Sequence, residues 1–287
     1  MIRILSYIGE RKLSSKYTFL ISVYHKEKPV YLKESLNSML KQSLMPNQIV
    51  LVKDGPLTVE LNEVITDFTE KFPDIFTIVS LPQNVGLGLA LNKGIAHCRN
   101  EFIARMDSDD ISHVDRMKIQ MSKLNENKEL AMLGTFTGEF INSVDNIKSS
   151  REVPTDYANI IKFSKRRSPF NHATVVFKKS ALKSVNGYRD ILRNEDYDLF
   201  VRLLMKNFYG ENINKVLYFV RSDEDLTRRR TSWTNCKNYI KVVYNFWQWG
   251  YSSIFDLCFV VATQLGMFIL PTKLVGYISN KFLRKGL

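Results

Sequence analysis

The sequence predicts an α/β protein built on a mostly parallel central sheet with helices on both faces. Three observations predict it. Between residues 17 and 105, short apolar runs alternate strictly with amphipathic stretches of helical period, the pattern of right-handed β–α–β crossovers. The chain is 45% hydrophobic and 24% charged over 287 residues, which suits a folded domain with a large core. Polar residues collect where each apolar run stops, and parallel sheets bind ligands beyond the carboxyl ends of their strands.

The elements follow in order. The run 18–24 is a buried strand, followed by Pro29 and a helix with Leu32, Leu36, Met39 and Leu40 on one face. The run 48–52 is a second strand, ended by the turn signal Lys53-Asp54-Gly55-Pro56. A second helix carries Leu61, Val64, Ile65 and Phe68 as its stripe. A third strand (76–81), a third helix (87–96) and a fourth strand (101–106) follow, and the last runs straight into Asp107-Ser108-Asp109-Asp110. Four polar features therefore fall at strand ends: Ser22 with Tyr24, Asp54, Asn84 with Gly86, and the acidic run 107–110. Further on the order is less regular, with strands expected near 131–140, 173–177 and 216–220 and helices near 114–124, 156–163 and 195–206.

Residues 1–16 are an N-terminal extension with no apolar run long enough for a signal peptide. The three cysteines show neither paired nor metal-type spacing, as in a reducing compartment. These features lead to the expectation of a cytoplasmic protein. The net charge of +12 calls for an anionic partner, and +8 of it lies in residues 226–287, together with all three tryptophans. That region also holds an apolar run, 257–270, too short to span a bilayer. Basic residues, interfacial aromatics and a short apolar helix suit a segment lying on the inner face of the plasma membrane. A helix packed on the catalytic domain with a solvated basic face is the other reading. The expected organisation is a catalytic domain, 17–225, and a basic, aromatic helical region, 226–287.

Three carboxylates within four residues favour a divalent cation, and oxygen ligands select a hard ion such as Mg2+ or Mn2+. An acidic surface turn capping the next helix is the plainer alternative. Asn194-Glu195-Asp196-Tyr197-Asp198 opens an apolar helix. Its acids either complement the helix dipole or supply a general base for a hydroxyl, with the helix N-terminus expected to lower the carboxyl pKa. Asp54 is either a turn former or an acceptor for a nucleobase N–H. His172 shows no metal spacing and by itself reads as a structural histidine.

These residues resemble a known family. Ile21-Ser22-Val23-Tyr24, Val52-Lys53-Asp54-Gly55, Gln83-Asn84-Val85-Gly86, Ala104 through Asp110, and Asn194-Glu195-Asp196 recur in the order typical of inverting family 2 glycosyltransferases. The stretches 23–42 and 104–116 are similar to the amylovoran-biosynthesis-type branch, whose members build bacterial O-antigen, capsule and exopolysaccharide. The resemblance covers roughly residues 17–225.

The resemblance implies a GT-A fold and a donor that is a nucleoside-diphosphate sugar, usually UDP-linked. By position, Ser22, Tyr24 and Asp54 line the nucleoside pocket with Asn84 and Gly86 beside it. Asp107 faces the ribose and metal, Asp109 is the direct metal ligand, and Arg105 stabilises the leaving diphosphate. Asp196 is implied as the catalytic base, with Glu195 at the acceptor. Asn171 and His172 match a stretch beside the acceptor pocket, and Arg228 and Arg229 belong to a basic stretch that meets a diphosphate. Asp110 is left with a structural role at the following helix. The implied acceptor is a lipid-linked (undecaprenyl diphosphate) oligosaccharide. The Gln-x-x-Arg-Trp motif of polymerising members is absent, which favours one sugar per encounter. Two other readings compete with this one. A nucleotidyltransferase would need a glycine-rich loop after the first strand, and 24–29 has no glycine. A nucleic-acid-binding protein would interleave its basic and aromatic residues on a folded platform, whereas here the excess sits in the tail, so no nucleic acid is expected.

Overall fold

The computed structural model describes residues 16–222 and 232–270, and the backbone of 285–286. Four parallel strands form its first half: β1 (Tyr17–Val23), β2 (Gln48–Lys53), β3 (Phe76–Ser80) and β4 (Phe102–Met106). They lie in the order β3-β2-β1-β4, with Ile21 opposite Leu51 on one side and Met106 on the other. Helices α1 (Pro29–Leu40), α2 (Val59–Lys71) and α3 (Leu87–His97) make the crossovers. Pro29 starts α1, where its missing N–H costs nothing, and Leu32, Leu36 and Met39 are buried beneath it. The Thr58 side chain caps α2 by accepting from the Leu61 N–H.

Alternate residues of these strands enter two different cores, so each strand reads as one apolar run rather than alternating polar and apolar. Phe19, Ile21, Ile49, Leu51, Ala104 and Met106 join α1, α2 and α4 (Arg116–Glu126) on one face. Leu20, Val50, Val52 and Ile103 join α3 and α7 (Glu195–Met205) on the other. Helix α3 lies close to the sheet at Gly94, where an added Cβ would stand 2.3 Å from Leu20 Cδ1 and 2.8 Å from Val52 Cγ2.

The second half of the sheet is mixed. It comprises β5 (Ile111–Ser112), β6 (Leu130–Phe140), β7 (Ile147–Arg151), β8 (Val176–Lys178), β9 (Tyr209–Arg221) and β10 (Lys285–Gly286). The order β10-β7-β6-β8-β4 extends the parallel half through antiparallel pairings. β9 departs from this path, parallel to β6 and antiparallel to β5, with three register shifts along β6. The sheet thereby curls round the ends of β1 and β4. Helices α5 (Tyr157–Ser164) and α6 (Lys179–Ser184) and a 3₁₀ turn, His172–Thr174, complete this half. The expected strand at 173–177 is therefore a 3₁₀ turn followed by β8, and the strand expected at 216–220 runs from residue 209.

Two helices follow, α8 (Trp233–Gln248) and α9 (Ile254–Ile269), packed as a hairpin against α7. Tyr197 and Val201 of α7 share a buried cluster with Val242, Val243, Phe246, Leu257 and Val260. No helix among the described residues is long and apolar enough to cross a membrane.

Candidate active site

β4 delivers Asp107 to Asp110 to the carboxyl edge of the sheet, and the surrounding fold pins that loop by its backbone. The Asp107 N–H donates to the Tyr218 hydroxyl (3.0 Å), and Ser35 donates to the Asp107 carbonyl (2.8 Å). Arg221, at the end of β9, donates from Nε to the Asp109 carbonyl (3.0 Å) and from its backbone N–H to Asp110 Oδ1 (2.8 Å). Ser108 donates to the Glu27 carboxylate. Ser108 and Asp110 are buried, while Asp107 and Asp109 between them remain partly exposed. Asp110 is thus structural, but it secures β9 rather than the helix that follows it.

The loop is electrostatically unfinished. Burial, with the like charges of Asp107 and Glu27, pushes the Asp109 carboxyl from 3.8 up to about 7. A hard divalent cation would reverse that shift, so the donor chemistry fits Mg2+ or Mn2+. Among the described residues no group of three or more His, Cys, Asp or Glu side chains forms a complete ligand set. Such ions are commonly held by one or two carboxylates, with phosphate oxygens and water filling the rest.

Arg105 lies beneath this loop, 2% exposed, with Nη1 2.5 Å from Asp107 Oδ1. Its Nε and Nη1 find no hydrogen-bond acceptor of good geometry. Burial opposes its charge most strongly, but Asp107, Tyr218 and Tyr188 together outweigh burial and hold the guanidinium above its ordinary pKa. Its field reaches Asp109 on one side and Glu195, Asp196 and His172 on the other. One buried cation therefore links the two acidic groups.

Ser22 and Tyr24 stand at the end of β1, Ser22 half-buried and Tyr24 exposed. Asp54, after β2, is 3% exposed and grips the next crossover. It accepts from the Val85 N–H (2.8 Å) on Oδ1, and from the Gly86 N–H (3.2 Å) and Asn84 Nδ2 (3.0 Å) on Oδ2. That uses three of the roughly four lone-pair positions of a carboxylate, leaving one on Oδ1. Gly55 makes this approach possible. It has φ +86°, and an added Cβ would lie 2.7 Å from the Asn84 nitrogen. Gly86 (φ +88°) opens α3 with nothing within 4 Å of its Cβ position, so the helix N-terminus faces open space.

The first turn of α3 meets the N-terminus of α7. Asn194 enters it in the left-handed conformation (φ 64°), and Glu195 packs on the first turn of α3, its Cγ 3.2 Å from a Cβ built on Gly88. Burial and the adjacent Asp196 push Glu195 from 4.5 to about 7. Burial raises Asp196 as well, outweighing the Tyr197 backbone N–H and the charge of Arg151. This overturns the expectation that the helix terminus lowers it, because withdrawal from water dominates. The result favours proton abstraction, since a carboxylate with a raised pKa is the stronger base.

His172 Nε2 lies 2.7 Å from the Tyr188 hydroxyl. Burial, then Arg105, drives the His172 pKa well down, so its ring is neutral. Asn171 is 4% exposed and donates through Nδ2 to the carbonyls of Thr135 (2.8 Å) and Arg151 (3.2 Å). It thereby ties the 3₁₀ turn to β6 and β7. Arg228 and Arg229 lie outside the described residues.

The structure thus gathers Ser22, Tyr24, Asp54, Asn84, Gly86, Arg105, Asp107 and Asp109 on one side and Glu195, Asp196 and His172 on the other. Four participants escaped the sequence reading: Glu27, Tyr188, Tyr218 and Arg221. Glu27 stands within the 23–42 stretch and adds a further carboxylate beside the acidic run. Tyr188 follows Gly187 (φ +62°), and its backbone is clamped by Asn92 at both N–H (2.8 Å) and carbonyl (2.7 Å). No local pattern marks Tyr218 or Arg221.

A parallel sheet with polar strand ends, an acidic loop after β4 and a carboxylate pair at the start of α7 match the fold of GT-A glycosyltransferases. The Glycosyl transferase family 2 model matches residues 18–192, and the chain belongs to that family. It is 34% identical to the UDP-Gal:alpha-D-GlcNAc-diphosphoundecaprenol beta-1,3-galactosyltransferase of Escherichia coli, over 94% of this chain and 97% of that protein. It is 36% identical to the amylovoran biosynthesis glycosyltransferase AmsE of Erwinia amylovora, over 78% of this chain and 82% of that protein. Among solved structures it resembles the mannosyltransferase PcManGT of Pyrobaculum calidifontis in complex with GDP-Man and Mn2+. The TM-score is 0.63 at 14% identity, covering 93% of this chain and 75% of the other, a likeness of fold.

Proposed function

We propose that this glycosyltransferase moves a hexose or N-acetylhexosamine from a UDP-sugar to a lipid-linked oligosaccharide diphosphate, one sugar per encounter, with inversion to a β-linkage. The observation that carries the reading is the buried Arg105, paired with Asp107 and felt electrostatically by Asp109, Glu195 and Asp196. The donor and acceptor classes are supported by the relative that uses UDP-Gal and a diphosphoundecaprenol acceptor.

In this reading Ser22, Tyr24 and the remaining Oδ1 lone pair of Asp54 orient the nucleoside, and the 84–86 loop closes beside it. Asp109, with Asp107, would hold Mn2+ or Mg2+, which would supply charge stabilisation to the diphosphate. Arg105 exchanges its contact with Asp107 for the leaving diphosphate, bringing a full charge to where negative charge develops. Asp196 takes the acceptor proton as the hydroxyl attacks the anomeric carbon from the face opposite UDP. Glu195 orients the acceptor sugar. A single displacement inverts the centre, so an α-linked donor gives a β-linked product. The catalytic unit spans 17–225, and the basic region 226–287 keeps the enzyme peripheral on the inner face of the plasma membrane.

Incubating the enzyme and Mn2+ with a panel of UDP-sugars and a lipid diphosphate monosaccharide, then reading the anomeric coupling by NMR, tests this. A β-linked disaccharide from an α-linked UDP-sugar is expected. An α-linked product would refute the single displacement.

A further inference from the structure

Helix α9 buries Leu257 and Val260 on its inner face yet also leaves an apolar face exposed. Its only charged residue, Asp256, is turned inward at 7% exposure, while Ile254 (46%), Phe255 (79%), Phe259 (50%), Phe268 (45%) and Ile269 (76%) face outward. Asp256 is fully engaged there. It forms a capping box with Ser253 and accepts from Arg166 Nε at 2.5 Å. A soluble helix places apolar residues inward and charges outward. A continuous exposed apolar stripe of this kind marks an interaction surface.

A basic run borders the stripe. Lys165-Arg166-Arg167 follows α5, and the Arg166 guanidinium lies 4.7 Å from the Phe259 ring centroid. Neither Lys165 nor Arg167 has an acidic partner among the described ion pairs. The same run touches the acceptor side of the active site. Tyr239 of α8 donates its hydroxyl to the Arg166 carbonyl (3.1 Å), and its ring meets Tyr197, the neighbour of Asp196, at 5.4 Å. Arg151 donates to the Ser168 carbonyl (3.4 Å) just beyond the run. The order in space is therefore Asp196 and Tyr197, then Tyr239 with the basic run, then Phe259 and the apolar stripe.

We propose that this face is the seat of the bilayer leaflet that carries the acceptor. The α9 stripe sinks into the interface, and Lys165 and Arg167 meet the lipid diphosphate at headgroup level. The acceptor sugar is then presented to Asp196. The proposal deepens the lipid-linked acceptor reading and rests on it. Charge decides the occupant. In a symmetric dimer through α9 the runs 165–167 would face like charges, whereas an anionic headgroup layer complements them. The graded order, apolar then cationic then catalytic, matches the order of tail, diphosphate and sugar in one amphiphile.

The test uses the full chain and vesicles of phosphatidylcholine with or without phosphatidylglycerol. Wild type should sediment with the anionic vesicles. F255D/F259D should lose vesicle affinity by on the order of a hundredfold, since two buried rings become two charges. Its melting temperature should hold, because both positions are exposed. K165Q/R167Q should lose on the order of twentyfold, about fivefold per basic residue. It should also raise the KM for a short-chain lipid diphosphate acceptor while leaving the KM for UDP-sugar unmoved. Undiminished vesicle binding by F255D/F259D overturns the proposal. So does a wild-type dimer in solution that this variant dissociates. Vesicle binding with no transfer to the lipid diphosphate would instead refute the acceptor reading beneath it.

Discussion

Replacing Glu195 with Gln is predicted to stabilise the folded protein at alkaline pH while lowering its activity. Glu195 is 9% exposed, and burial with Asp196 beside it raises its pKa from 4.5 to about 7. Below about pH 4 the carboxyl is protonated in both folded and unfolded chains and contributes nothing. As pH rises through 4.5 the unfolded chain ionises first, so stability falls until the folded carboxyl ionises near 7. The loss is then complete at about 3 kcal/mol, from the shift at 1.36 kcal/mol per unit. Glu195→Gln removes it, which for a chain of this size corresponds to roughly 6–10 °C in Tm above about pH 8. The assay is Tm against pH for both proteins in metal-free buffer, where Asp109 titrates equally in each. The curves should converge near pH 4 and separate towards pH 8. Parallel curves across the whole range would refute the reasoning, because Glu195 would then carry no penalty of ionisation.

Asp196→Asn should retain UDP-sugar binding but lose transfer by about 10²- to 10⁴-fold, the usual contribution of a positioned base; calorimetric binding beside single-turnover kinetics separates the two. The pH profile of wild-type kcat/KM should fall on its acid side near pH 7, reporting the Glu195–Asp196 pair as a unit; a profile flat down to about pH 5 would contradict the raised pair. Tyr218→Phe removes the hydroxyl that accepts from Asp107, at about 1–2 kcal/mol by denaturant melts, and should raise the donor KM. Gly94→Ala should cost about 1–3 kcal/mol in the same melts, since Leu20 and Val52 leave no room for a methyl group.

The parallel half of the fold was legible because β1, β2 and β4 are buried on both faces and the crossovers are regular. That sufficed to bring Ser22, Asp54, Gly86 and Asp107 together. The second half was less legible for reasons visible in its residues. β7 is Ile-Lys-Ser-Ser-Arg, and β9 begins Tyr-Gly-Glu-Asn, neither of them an apolar run. Tyr218 meets Asp107 across 111 positions only because β9 leaves the main sheet to run along β6 and reach β5. The pKa of Asp196 was misjudged because a sequence displays the helix end but not the burial. The inward turn of Asp256 was equally invisible, since it depends on Arg166, 90 positions away.

The central claim is that the loop after β4 binds a nucleotide diphosphate through a cation at Asp109. Titrating UDP into wild type and Asp109→Asn by calorimetry, with and without Mn2+, tests it most directly. Wild type should bind UDP at least about tenfold more tightly with Mn2+ than without, and Asp109→Asn should lose that enhancement while keeping its fold. An undiminished Mn2+ effect in the variant would contradict the account.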